Sequence, residues 1–199
     1  MAELIAIQNE TFLNLLTELA LPDYIPSANA KALLDTEARY IKDLKINVSN
    51  VLNNTQQLNR KEALLLALAV SVNEKFIALQ QSFTTLAKDA GATDAEVAEI
   101  IACTSLMGVN NVFYRFRHFM NKESYNNIPA GIKMSIMMNP VLGKEFFELV
   151  SLAVSSVNGC EMCVVSHEQS VMQHGSSEAR VFEAVKLVAV IKGLITILA

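Results

Sequence analysis

Apolar side chains return along this chain at intervals of three and four. Leu64, Leu65, Leu68, Ala69 and Val72 form one such stripe, and similar stripes recur nearly throughout. This spacing gathers apolar positions on one side of an α-helix, whereas a half-buried strand alternates every second residue. No extended alternating run and no hairpin turn signal competes with it. The pattern therefore predicts an all-α fold. It is interrupted at 21–29, 52–60, 89–94, 121–131, 138–140, 157–159 and 174–178, where Asn, Pro, Gly or Ser gather to cap helices or turn the chain. Between the breaks it predicts about ten helices, over 3–19, 29–51, 60–72, 74–89, 94–106, 109–120, 130–137, 141–156, 159–173 and 177–197.

A repeat lies within this layout. A shift of 84 residues sets Leu68-Ala69-Val70-Ser71 on Leu152-Ala153-Val154-Ser155, Ser82 on Ser166, Gly91 on Gly175, Val97 on Val181 and Glu99 on Glu183. The order helix, helix, glycine turn, helix agrees as well, which points to an internally duplicated core. The copies differ at a few places. Leu64, Phe76, Leu79 and Phe83 in the first face Glu148, Cys160, Cys163 and His167 in the second. Core positions accept Leu and Phe readily, so an acid, an imidazole and two thiols there call for a reason beyond packing.

Composition narrows the class. With 199 residues, 52% hydrophobic and 18% charged, the chain has enough apolar material for one domain with its own core and no structural disulfides. Its net charge is -4, and its cations are scattered apart from Arg115, Arg117 and His118, which argues against nucleic acid as a partner. The N-terminal stretch lacks a basic n-region and a cleavage site, and Glu183, Lys186 and Lys192 interrupt the apolar C-terminal run. The expectation is a cytoplasmic protein without a membrane span. In a reducing compartment a C-x-x-C pair serves catalysis or metal binding more often than architecture.

Cys160, Cys163 and His167 stand at i, i+3 and i+7, on one face of a helix whose first turn is expected to carry Cys160. An antiparallel return through Asn158-Gly159 brings Glu148 toward His167. A thiolate near a helix N-terminus and an imidazole has a lowered pKa and can attack a peroxide or disulfide, and a second thiol one turn away can close on the product. A carboxylate bonded to the imidazole orients the ring as a proton acceptor. The rivals are a buried apolar pair of cysteines and a structural zinc site, which usually draws on two clusters where this chain has one. Haem attachment fails because Val164 occupies the position of the histidine. The helix terminus favours Cys160 as the lower-pKa thiol, while the nearby imidazole favours Cys163.

Elsewhere the readings are structural. Cys103 is expected in the core and His174 at a helix C-terminus. Asn110 to His118 is expected to form an amphipathic helix with buried rings and solvated arginines, with a subunit contact or site wall as the alternative. Met134, Met137 and Met138 read as adaptable packing.

At Glu148, eleven residues, then Cys160-x-x-Cys163-x-x-x-His167, the sequence resembles the alkylhydroperoxidase D proteins of the carboxymuconolactone decarboxylase-like superfamily. Leu44 to Leu52 and Asn110 to His118 carry the resemblance further, and it extends from about residue 35 to the end. The resemblance leaves 1–34 outside it, expected as an N-terminal helical extension to a single helical domain, 35–199, in which the residue pattern puts a degenerate repeat at about 60–120 and the site-bearing one at 143–199. It also implies a thiol-dependent hydroperoxide reductase in antioxidant defence, assembled as a homo-oligomer, a trimer or hexamer. It further implies that no cofactor is bound, that a dithiol such as dihydrolipoamide supplies electrons, and that a lipoyl-bearing protein or a peroxiredoxin is the partner. In such a mechanism Cys163 meets the peroxide, Cys160 closes the disulfide, and Glu148 and His167 relay protons. The best-known members carry a histidine where this chain has Met162. The alternative is a dithiol-disulfide exchange module acting on a protein partner.

Overall fold

The computed structural model describes residues 9–199, so the beginning of the helix predicted from residue 3 lies outside the described residues. The described residues form ten α-helices and no strand: α1 Glu10–Glu18, α2 Ala28–Asp35, α3 Tyr40–Asn53, α4 Arg60–Asn73, α5 Ile77–Asp89, α6 Asp94–Met120, α7 Glu123–Asn126, α8 Lys144–Val157, α9 Glu161–Gln173 and α10 Glu178–Leu198. The predicted all-α class is the observed one. A short 3-10 turn, Ser135–Met137, lies between α7 and α8.

Two helices make the centre. Every residue from Ala63 to Ser71 of α4 and from Phe146 to Ser155 of α8 is buried, which marks helices enclosed on all sides. They pack on each other, and each also packs on α6 and α10; α5 lies against α4, and α9 against α8. Shifting α4 and α5 by 84 residues reproduces the bounds of α8 and α9, and α6 and α10 begin in register after matching N-caps, Thr93 and Ser177.

The N-terminal segment joins the same core through Phe12, Leu15, Leu16 and Leu19. It also covers the end of α10: Tyr24 donates to the Leu198 carbonyl at 2.8 Å, Ser27 to Ile197 at 2.7 Å and Asn29 to Thr196 at 2.8 Å. These donors satisfy carbonyls that a helix C-terminus leaves without partners.

Four predicted helices change. The one at 29–51 is two, because α2 ends in a tight return with Glu37 at φ 49 and with Glu37 and Ala38 donating back to Leu34 and Leu33. Those at 94–106 and 109–120 are one, since the buried stripe Val97, Ile100, Thr104, Met107, Asn111 runs past Gly108 without a break. The one at 130–137 is largely irregular, with Gly131 at φ 67 and only the 3-10 turn at its end. Among the described residues one helix, α6, is long and apolar enough to cross a membrane; it packs along α4, α8 and α9, the place of a core helix.

Candidate active site

The turn between α8 and α9 builds the site. Gly159, at φ 67, reverses the chain, and the Cys160 N–H donates to the Ser155 carbonyl at 3.1 Å. Cys160 is thereby the N-cap of α9, with non-helical φ −97 and ψ 88. The expectation that Cys160 opens the first helical turn is thus corrected: its amide closes the preceding helix, and Cys163 stands in that turn instead. The field of the helix N-terminus reaches both sulfurs, so it no longer singles out Cys160.

Four side-chain hydrogen bonds brace this turn. Arg115 donates to the Asn158 carbonyl at 2.7 Å. The Asn158 amide donates to Asn111 at 2.9 Å, Asn111 to Ser155 at 2.9 Å, and Asn73 to Asn158 at 2.9 Å. The reading of Asn110 to His118 as buried rings with solvated arginines is therefore corrected in part, for Phe113 and Tyr114 are half-buried. Phe116 and Phe119 are exposed, whereas Arg115 and Asn111 turn inward to hold the loop ahead of Cys160.

Cys160 and Cys163 are joined in a disulfide with their Cα atoms 5.3 Å apart. They are 1% and 6% exposed, and on the same inward face His167 is 9% exposed. Glu148, 3% exposed on α8, meets His167 Nδ1 with Oε2 at 2.7 Å. The four predicted residues are thus placed together by two antiparallel helices and one glycine turn. When Nδ1–H donates to the carboxylate, the neutral ring keeps Nε2 free to accept a proton.

A fifth residue was missed. Lys144 Nζ lies 2.9 Å from Glu148 Oε1 and also donates to the Met137 carbonyl at 2.7 Å. The spacing Lys144-x-x-x-Glu148 signals this pairing on any helix. Burial of Glu148 opposes its charge, but hydrogen bonds from His167 and Lys144 outweigh burial and hold the carboxyl below its ordinary value. Both carboxylate oxygens have partners, as a buried charge requires.

The remaining candidates fall outside this group. Cys103 is buried on α6 with Sγ 3.4 Å from Ser151 Oγ, and burial pushes its thiol up to about 12, which makes it inert. His174 caps the C-terminal end of α9, its Nδ1 2.7 Å from the Ser170 carbonyl. Met162 is exposed on the outer side of α9, in a shallow hollow it shares with His118, Glu161, Val165, Ser166 and Gln169. Among the described residues no three His, Cys, Asp or Glu side chains cluster to hold a metal ion.

Comparison with known proteins adds a lineage to this geometry. The carboxymuconolactone decarboxylase family profile matches residues 127–199. The alkyl hydroperoxide reductase AhpD of Maricaulis maris is 36% identical over 171 residues, covering 84% of this chain and 96% of that protein. The AhpD of Coxiella burnetii is 34% identical over 157 residues, 78% of this chain and 88% of its own. That of Anaeromyxobacter sp. strain K is 40% identical over 154 residues, covering 75% and 80%.

Proposed function

The chain belongs to the alkyl hydroperoxide reductase AhpD family of the carboxymuconolactone decarboxylase superfamily, and from that premise we propose a dithiol mechanism of hydroperoxide reduction, in antioxidant defence, run by Cys160, Cys163, Glu148 and His167. The observation that carries the reading is the buried Glu148–His167 hydrogen bond on the inward face that also holds the bonded cysteines.

The steps balance without a bound cofactor. In the reduced protein His167, held by Glu148, takes the Cys163 proton, directly or through a water, and the thiolate attacks the terminal peroxide oxygen. The O–O bond breaks, the departing alkoxide receives the proton as an alcohol, and Cys163 becomes a sulfenic acid. The Cys160 thiol then attacks the Cys163 sulfur, water leaves, and the disulfide forms. A dithiol such as dihydrolipoamide, carried on a lipoyl-bearing protein, attacks that disulfide and leaves oxidised as two thiols are regenerated. A peroxiredoxin is the alternative recipient of those electrons. The setting is the cytoplasm, and the exposed apolar side chains of Val109, Val112, Phe116 and Phe119 along α6 support a homo-oligomer, trimer or hexamer.

Purified protein supplied with dihydrolipoamide should consume an organic hydroperoxide, and Cys163→Ser should abolish this. Cys160→Ser should react once and stop at a trappable sulfenic acid on Cys163. Unchanged turnover in Cys163→Ser defeats the mechanism, and rapid disulfide reduction without peroxide consumption favours the exchange module.

A further inference from the structure

Glu99 stands on α6, outside the group just described. Its carboxylate accepts the main-chain N–H of Val141 at 2.8 Å with Oε1 and that of Leu142 at 2.7 Å with Oε2. These amides immediately precede Gly143, the N-cap of α8, which offers no side chain to the helix start. The entry into α8 is therefore anchored from another helix. The next residue is Lys144, which spans the Met137 carbonyl and Glu148.

The other half holds a matched clamp with no chemistry behind it. Glu183 on α10 accepts the N–H groups of Gln56, Gln57 and Leu58 at 2.9, 2.6 and 3.1 Å, just before α4. There Asn59 and Glu62 already form a capping box, and the position matching Glu148 is Leu64. The molecule thus contains its own control: two equivalent clamps, one ahead of an ionisable site and one ahead of an apolar core.

We infer that Glu99 is a positioning residue for the Glu148–His167 pair, fixing the entry into α8 so that Lys144 is aimed at the Glu148 carboxylate. This rests on the proton-relay reading above. Glu148 is faced by Lys144 from its own helix, His167 from α9 and the neutral Cys103 thiol from α6, while Arg180 of α10 is engaged by Glu62 of α4 and Glu145 of α8. Lys144 is thus the only fixed cation in contact with Glu148 among these groups. Loosening it makes Glu148 easier to protonate and moves the acid limb of any process using the relay to higher pH.

The test reads thiol reactivity as well as turnover. In a Cys160→Ser background, the pH dependence of iodoacetamide alkylation at Cys163 is measured by mass spectrometry, beside single-turnover hydroperoxide consumption. Glu99→Gln should slow both by about 10-fold, less than the ~10²-fold of a lost base, and shift the acid limb upward. Glu99→Asp should do the same to a smaller degree, and it carries the test if the amide variant does not fold. Glu183→Gln should lower the melting temperature yet leave the limb in place. An unmoved limb in the Glu99 variants, or an equal shift in Glu183→Gln, overturns the inference. A limb that ignores His167→Phe defeats the relay reading and the inference with it; one that answers His167→Phe but not the Glu99 variants defeats the inference alone. A wild-type protein that alkylates as expected but consumes no hydroperoxide defeats only the proposed activity.

Discussion

The half of the molecule around α4 and α5 and the half around α8 and α9 share a backbone and differ in what they enclose. Both turns use the same returns, with Phe76 donating to Ser71 and Cys160 to Ser155, and both pivot on a left-handed residue, Lys75 at φ 60 and Gly159 at φ 67. An ion pair recurs with its charges exchanged, Lys61–Glu96 in one half and Glu145–Arg180 in the other. Where the first half buries Leu64, Leu79 and Phe83, the second buries Glu148, Cys163 and His167. The frame therefore stands on packing, caps and turns that are indifferent to the chemistry. The ionisable and sulfur-bearing groups occupy positions at which hydrocarbon serves the fold equally well. Buried charge is tolerated there because every partner is supplied.

Writing the first half into the second breaks the comparison most directly. Cys163→Leu should remove all measurable peroxide turnover, since no second thiol stands beside the imidazole. The pair Glu148→Leu with His167→Phe should slow the first thiol reaction by ~10²-fold or more while the helical circular dichroism spectrum stays intact. At neutral pH its stability to urea should be unchanged or raised by about 1–4 kcal/mol, because replacing a buried ion pair by hydrocarbon removes a desolvation cost, and Lys144 is exposed enough to turn toward water. Helical content lost in this variant would show that the second half needs its ions to fold.

Acidification sharpens the same contrast. Glu148 has a folded pKa below its ordinary value of 4.5, so its stabilising contribution is complete above that value and drains as pH falls through the lower folded one. Melting temperatures followed downward from pH 5 should fall more steeply for the wild type than for the Leu/Phe variant. Parallel curves would mean that the carboxylate contributes nothing to the fold. The smallest effect concerns the two pivots. Lys75→Gly should stabilise by up to about 1 kcal/mol, and Gly159→Ala should destabilise by about 1–2 kcal/mol, because only glycine adopts the left-handed conformation without strain.

The sequence disclosed the fold class and the four-residue group because both depend on short periods. Three- and four-residue spacing reports a helix face, and the half-to-half contrast exposed four positions where polar groups replaced Leu and Phe. It hid what depends on distance along the chain or on unmarked backbone. Glu37 ends α2 without a glycine to announce it, while Gly108, which does look like a break, sits on the open side of a continuous stripe. Glu99 finds its partners 42 and 43 residues away, and no local pattern records that. Arg115 looked like a surface charge because its acceptor is a main-chain carbonyl in a turn 43 residues on. Lys144 alone was within local reach, hidden only because Glu148 was read forward to the histidine and not back along its own helix.

The two glutamate clamps also set an order of events during synthesis. Each reaches into the other half, but in opposite directions along the chain: Glu183 reaches back 125–127 residues to the entry of α4, and Glu99 reaches forward 42–43 residues to the entry of α8. A chain leaving the ribosome N-terminus first therefore makes α4 long before its clamp exists, and that entry waits for nearly the whole molecule. The entry of α8 emerges after its acid is already in place, with a shorter loop to close. The apolar half is made first and secured last, and the half bearing the thiols arrives at an anchor that is waiting for it.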